Sequence, residues 1–275
     1  MIELPEAVTL ARQVTETIKG KKIASVIMGM SPHKFAWFYG DPKGYDALLR
    51  GKTIGTAAAY GGLVEIRVED AALLFGDGVM LRFHAPGEKR PPKHQLLTEF
   101  QDGAAISGAV QMYGGLWCFK EGEYHNPYYK IAKTKPSPLS KEFDKAYFKA
   151  LISDLEVQKL SAKAFLATKQ RIPGLGNGVL QDILFNARIH PKKKVEEFTA
   201  DEKKDLFQSV KATLKEMTEK GGRDVEKDLF GEAGGYKTKV SQATVNTPCP
   251  VCGGMITKQP YMGGSIYFCV KCQKF

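Results

Sequence analysis

The sequence has 275 residues, 43% of them hydrophobic and 25% charged, which is ordinary globular usage and excludes a disordered or low-complexity chain. Such a length buries a sizeable core and accommodates two domains with a small appendage. Lys and Arg number 40 against 30 Asp and Glu, a formal charge of +10, so a polyanionic partner is expected.

Glu3, Glu6 and Arg12 interrupt the first residues, which hold no apolar core, so no secretory leader is expected. Residues 5–19 read as a helix with Pro5 in its first turn and a stripe of Ala7, Val8, Leu10, Ala11, Val14 and Ile18. From about residue 21 to 132 the pattern becomes short β-branched or aromatic runs. Asp77-Gly78 and Asp102-Gly103 stand between such runs as hairpin signals. The region predicts an all-β unit, a sandwich or a partly open barrel. Residues 133–139, with Pro136 and Pro138, read as a linker. A helical period follows, with Phe143, Tyr147, Phe148, Leu151, Ile152 and Leu155 on one face. Residues 199–220 form the clearest helix, opened by a Thr199/Glu202 capping box, striped by Leu206, Val210, Leu214 and Met217, and stopped by Gly221-Gly222. No run approaches the roughly 18 apolar residues of a membrane span. A soluble cytoplasmic protein is expected, nucleoid-associated if bacterial, with no membrane partner.

Four of the five cysteines form Cys249-x-x-Cys252 and Cys269-x-x-Cys272. A two-residue gap lets both thiolates of each pair face one ion, so the spacing predicts one structural Zn2+ per chain held by Cys249, Cys252, Cys269 and Cys272. Two disulfides are the alternative, disfavoured in a reducing compartment. The residues between the pairs read as a β-hairpin. Cys118 lies alone in an apolar run and reads as a small buried hydrophobe. From Tyr236 to the end there are lysines at 237, 239, 258, 271 and 274 and no Asp or Glu. A basic hairpin suits phosphate binding, with Lys258 as its central cation; a solvated positive face is the plainer reading.

Residues 173–191 read PGLGNGVLQDILFNARIHP. Gly174 and Gly176 permit close backbone approach, and Asn177 is placed to cap a helix over 178–188, whose free N–H groups suit a phosphate. Simple capping explains the same residues.

The start Glu3-Leu4-Pro5-Glu6, the GLGN…IHP segment and the terminal four-cysteine hairpin together resemble the formamidopyrimidine-DNA glycosylase/endonuclease VIII family, in the same order across the whole chain. The resemblance implies an α+β multidomain protein. Its parts are an N-terminal helix with a β-sandwich (1–132), a linker (133–139), a helix–two-turn–helix domain (140–235) and a zinc-finger β-hairpin (236–275). It also implies double-stranded DNA with damaged bases as partner, bound in the cleft between domains by a monomer. Such enzymes flip a damaged base, release it and usually nick the abasic site. Glu3 then matches the carboxylate that assists opening of the sugar, and Glu6 the acid beside it. Asn177 and Gly176 match the phosphate-gripping turn. Gln111-Met112-Tyr113 is similar to the Gln-Leu-Tyr wedge of endonuclease VIII, which fills the hole left by a flipped base; an ordinary strand end is the alternative.

Three positions depart from the family pattern. Its proline nucleophile is Ile2 here, with Met1 retained. The β-hairpin lysine falls on Gly62. The zinc-finger arginine is Gly264, with Lys258 the nearest cation in the hairpin. The sequence therefore predicts a base-excision-repair DNA glycosylase using Glu3 with water or an α-amine as nucleophile, with abasic-site lyase activity in question. A lesion- or structure-specific DNA-binding protein without catalysis is the alternative, and a zinc-ribbon RNA-binding protein a third, against which the GLGN segment argues.

Overall fold

A computed structural model describes residues 1–275. The chain opens with α1 (Leu4–Ile18), then β1 (Ile23–Met28), the short β2 (Ala36–Trp37), α2 (Tyr45–Leu49), β3 (Ile54–Tyr60), β4 (Leu63–Val68), β5 (Ala71–His84), β6 (Leu96–Phe100) and β7 (Ala105–Lys120). These strands form one sheet of order β1-β6-β7-β5-β4-β3, antiparallel throughout except that β2 pairs parallel with β7 at Gly114 and Gly115. The ladder between β5 and β7 is interrupted midway: Asp77 faces Gly114 and Val79 faces Val110, so Gly78 alone stands opposite Gln111, Met112 and Tyr113. That bulge divides the sheet into two leaves sharing β5 and β7. Ile54, Val64, Ile66 and Val68 of one leaf and Val26, Leu81, Leu96 and Ile106 of the other are buried in a single core, the arrangement of a β-sandwich. In β4, Val64, Ile66 and Val68 point into this core, while on the other face Arg67 is exposed and Glu65 is buried beside Tyr129 and Lys133.

Beyond the sandwich, α3 (Pro127–Thr134) leads to α4 (Lys145–Ser153), α5 (Leu155–Gln158), α6 (Ala162–Ala167), α7 (Val179–Asn186) and α8 (Ala200–Glu219). Their apolar faces form a second core with Phe143, Phe148, Phe165, Leu180, Ile183, Leu206, Val210, Leu214 and Met217. Thr199 caps α8 by accepting the Glu202 N–H, as the capping box predicts. The chain ends in a hairpin of β8 (Ile256–Tyr261) and β9 (Gly264–Cys269). Two features join these units. Helix α1 turns Ala7, Leu10, Val14 and Ile18 to the sandwich core and Leu4 and Val8 to the helical core. The segment after α8 sends Leu229 into the first core and Tyr236 into the second.

Several local expectations are corrected. Asp77-Gly78 is no hairpin turn but the bulge inside β5, with Asp77 at φ 59°; the dipeptide favours positive φ in either setting. Asp102-Gly103 does turn β6 into β7, with the Phe100 N–H donating to the Ala104 carbonyl. Leu155 is not on the buried face, being 88% exposed, because the chain leaves the helical path at Asp154 and restarts as α5. Residues 127–134 are helical rather than extended, since Asn126 accepts the N–H groups of Tyr128 and Tyr129. No helix is long and apolar enough to cross a membrane.

Candidate active site and nucleic-acid interface

Glu3 is the N-cap residue of α1 and is 3% exposed. Its backbone N–H donates to Glu6 Oε2 at 3.2 Å. Its carboxylate reaches across the two cores: Oε1 accepts the Gly178 N–H at 2.8 Å and Oε2 the Val179 N–H at 2.7 Å. Glu3 therefore caps α7. The expectation that Asn177 caps this helix is corrected, because Glu3 satisfies the same orphan donors with a full charge at the positive helix end. The glycines make the approach possible. A Cβ on Gly176 would lie 2.7 Å from Glu3 Oε1, and one on Gly178 would overlap Arg223.

Arg223, 3% exposed, completes this cluster. Nε and Nη2 donate to the two oxygens of Glu6, each at 3.0 Å, and Nη2 also to the Met1 carbonyl at 3.3 Å. Nη1 lies 3.9 Å from Glu3. Burial pushes the Glu3 carboxyl above the usual carboxylate range, with Arg223 and the two α7 N–H groups pulling against it and Glu6 adding to it. The Ile2 N–H donates to the Asp77 carbonyl at 2.6 Å. The Met1 amine is ion-paired with Glu226. Beside them a cleft of about 150 Å³ is lined by Met1, Met80, Gln111, Val225, Glu226 and Lys227. At Gly62, a side chain would stand 3.0 Å from the Ile2 carbonyl and 3.6 Å from Gly174. The β3–β4 turn is thus pressed onto the N-terminus and the PGLG turn.

Gln111, Met112 and Tyr113 are not at a strand end: they lie inside β7, expelled from the ladder by the bulge opposite Gly78. Gln111 and Met112 are exposed, Met112 at 66%, while the Tyr113 hydroxyl contacts Met1 Sδ at 3.8 Å.

On the helical side, Gln181 fastens the hairpin to α7: Nε2 donates to the Ser265 carbonyl and Oε1 accepts the Tyr267 N–H. The hairpin tip is thereby brought to Asn177, whose amide nitrogen would stand 3.8 Å from a Cβ on Gly264. The Lys163 ammonium of α6 would lie 3.6 Å from that same atom. Lys163 is 5% exposed, has no carboxylate partner, and donates only to the Tyr261 carbonyl at 2.7 Å. Burial holds its pKa below the ordinary lysine value. Lys258 is exposed and engages Gln242 at 2.6 Å. The cation beside Asn177 is therefore Lys163, which the sequence reading missed together with Arg223 and Glu226. None carries a local signal: one sits on an apolar helix, the others in a loop.

The four cysteine sulfurs all lie within 4.8 Å of one another, with Cys249–Cys272 at 3.8 Å and Cys252–Cys269 at 3.4 Å. Tetrahedral sulfur ligands near 2.3 Å from one ion would stand about 3.8 Å apart. The Val251 and Gly254 N–H groups donate to the Cys249 and Cys252 sulfurs at 3.4 Å, which favours the thiolate form. The set can hold a metal ion. Cys118 is buried with its thiol pushed up to about 12 by burial, an inert position.

Residues 135–228 match the formamidopyrimidine-DNA glycosylase H2TH domain. The formamidopyrimidine-DNA glycosylase of Bacillus licheniformis is 28% identical over 280 residues, covering 100% of both chains. That of Halalkalibacterium halodurans is 29% identical over 281 residues, again covering 100% of both. The fold is that of Lactococcus lactis Fpg in complex with an abasic-site DNA, with a TM-score of 0.84 and 24% identity over 99% of this chain and 100% of that one. MutM (Fpg) from Thermus thermophilus gives a TM-score of 0.80 at 22% identity, covering 98% of each. With its helix–two-turn–helix segment matched and its relatives aligned from end to end, the chain is similar over its whole length to the formamidopyrimidine-DNA glycosylases.

Proposed function

We propose that the protein is a DNA glycosylase of base excision repair that binds duplex DNA carrying damaged bases and releases the damaged base. The observation that carries this reading is Glu3, a buried carboxyl of raised pKa, fixed by two N–H groups of α7 and one residue from the cleft-lining Ile2. A carboxyl so held can give a proton to the opening sugar or balance its positive charge as the base departs. Glu6 and Arg223 hold the turn that carries it.

The nucleophile in this reading is water. The nitrogen of Ile2 is a peptide N–H engaged with Asp77, the Met1 amine is paired with Glu226, and position 62 carries no side chain. An amine that condenses with the sugar must be unprotonated and free to approach. Base release then leaves an intact abasic site rather than a nicked strand. Gly176, Asn177, Lys163 and Lys258 offer the phosphate contacts, and Gln111, Met112 and Tyr113 fill the vacated stack. Cys249, Cys252, Cys269 and Cys272 hold one structural Zn2+, closed to substrate by its four ligands. The protein acts as a monomer in the cytoplasm.

The test is base release from a duplex panel carrying oxidised purines, oxidised pyrimidines, alkylated bases and abasic sites. Release of at least one base, lost in Glu3→Gln, is expected. A second reading, lesion binding without turnover, is favoured by the Met1–Glu226 pair and by the two N–H bonds already made to Glu3. Tight lesion binding with nothing released from any duplex would establish it.

A further inference from the structure

We propose that Trp37 is a stacking platform for the unpaired base that faces the lesion, an inference that rests on the DNA-binding reading above. Residues 35–39 alternate strictly. Ala36 and Phe38 pack on the sandwich core, whereas Phe35, Trp37 and Tyr39 point outward with exposures of 47%, 44% and 38%. Tyr39 has partners there, packing edge-on against Tyr124 and donating to the Glu123 carbonyl. Phe35 has no aromatic partner, and Trp37 has only Tyr113. Their position is fixed by the parallel pairing of Ala36 and Trp37 with Gly114 and Gly115, and by the Gly114 N–H donating to the Phe35 carbonyl. A short strand in the one parallel register of the sheet thus carries an indole to the rim of the Gln111–Tyr113 bulge.

Trp37 and Tyr113 lie 5.6 Å apart between ring centroids, tilted by 37°. Tyr113 in turn touches Met1, which lines the cleft. Trp37 is therefore one ring removed from the place where an extruded base would enter, and the exposed Met112 directly precedes that ring in the bulge. A base leaving the stack on the Met1 side leaves its former partner facing Met112 and Trp37. The surroundings match a nucleotide better than an apolar protein surface. Residues 29–40 contain His33 and Lys34 and no acid, and the Lys34 ammonium lies 5.5 Å from the Phe35 ring. Ser31 is hydrogen-bonded to His94 and Gln95, which places this segment beside the basic loop of Lys89, Arg90 and Lys93. Aromatic faces interleaved with cations stack bases and hold phosphates together.

The experiment uses three duplexes: fully paired, with one tetrahydrofuran abasic analogue opposite adenine, and with analogues in both strands. Trp37 and Trp117 are the two tryptophans, so emission reports the platform directly. Binding the duplex with the orphan adenine is expected to quench emission, and Trp37→Phe to remove that change. Trp37→Ala should weaken binding of this duplex roughly tenfold. Binding of the other two should change by less than about twofold, because phosphate contacts are kept. Trp37→Phe, which retains a ring, should keep most of the affinity. Unchanged emission at saturation, or equal weakening of all three duplexes by Trp37→Ala, would overturn the proposal while leaving DNA binding intact. Concentration-dependent dimerisation of the wild type but not of Trp37→Ala would assign the patch to a second copy and overturn it as well. Failure of the wild type to bind any duplex would defeat the DNA reading itself.

Discussion

Replacing Arg223 by methionine, similar in length and uncharged, tests the ion cluster at the N-terminus. Arg223 makes three hydrogen bonds to Glu6 when its backbone N–H is included, at 3.0, 3.0 and 3.1 Å, and stands 3.9 Å from Glu3. All three side chains are buried, at 3% to 5% exposure. Removing the cation leaves two buried carboxylates with backbone N–H donors but without their side-chain counter-charge, a change that costs about 3–5 kcal/mol in buried pairs. The pH dependence has a definite sign. The folded-state pKa of Glu3 is already raised, so its contribution to stability is present below the unfolded value of 4.5 and is lost as pH rises through the folded value. Arg223 is the main influence opposing that rise. Without it the folded pKa climbs further and the loss deepens toward neutral pH. Urea unfolding of wild type and Arg223→Met at pH 5 and pH 8 measures this, with a larger gap expected at pH 8. A gap below about 1 kcal/mol, typical of exposed pairs, or one independent of pH, would refute the claim that Arg223 holds the two acids in place.

The remaining expectations concern metal, DNA and chemistry. Elemental analysis should find one zinc per chain; Cys249→Ser or Cys272→Ser should lose it and weaken DNA binding while the sandwich stays folded. All four cysteines oxidised, with no stoichiometric metal, would count against the site. Asn177→Ala and Lys258→Ala should weaken binding to any duplex alike, and Lys163→Met should lower the slope of log K against log salt by about one; an unchanged slope would remove Lys163 from the phosphate contacts. Borohydride trapping on abasic DNA should yield little crosslink. Abundant adduct mapped to the N-terminal amine would show that the pair with Glu226 opens and that the water mechanism is wrong. Undiminished base release by Glu3→Gln would take Glu3 out of the chemistry.

Periodicity and spacing alone determined much of this protein. The stripes of α1 and α8, the capping box at Thr199, the β character of most of residues 21–132 and the two Cys-x-x-Cys pairs are written in spacings of a few residues, which neighbouring side chains encode directly. The same local logic failed at Asp77-Gly78, because a dipeptide that tolerates positive φ serves a bulge as well as a turn, and only the pairing of β5 with β7 chooses between them. Glu3 and Asn177 were each legible as residues of interest. Yet which of them caps α7 depends on a contact 176 residues long in sequence, as does the arrival of Arg223 between Glu3 and Glu6. Lys163 and Trp37 carry no motif: one is a lysine on an apolar helix, the other a tryptophan in an aromatic run. Their meaning comes from what the fold sets beside them, a hairpin tip at Gly264 and a bulge at Gln111–Tyr113. Local pattern fixes elements because their energetics are local; the site was decided by tertiary structure because its charges and rings find their partners only after distant segments have packed.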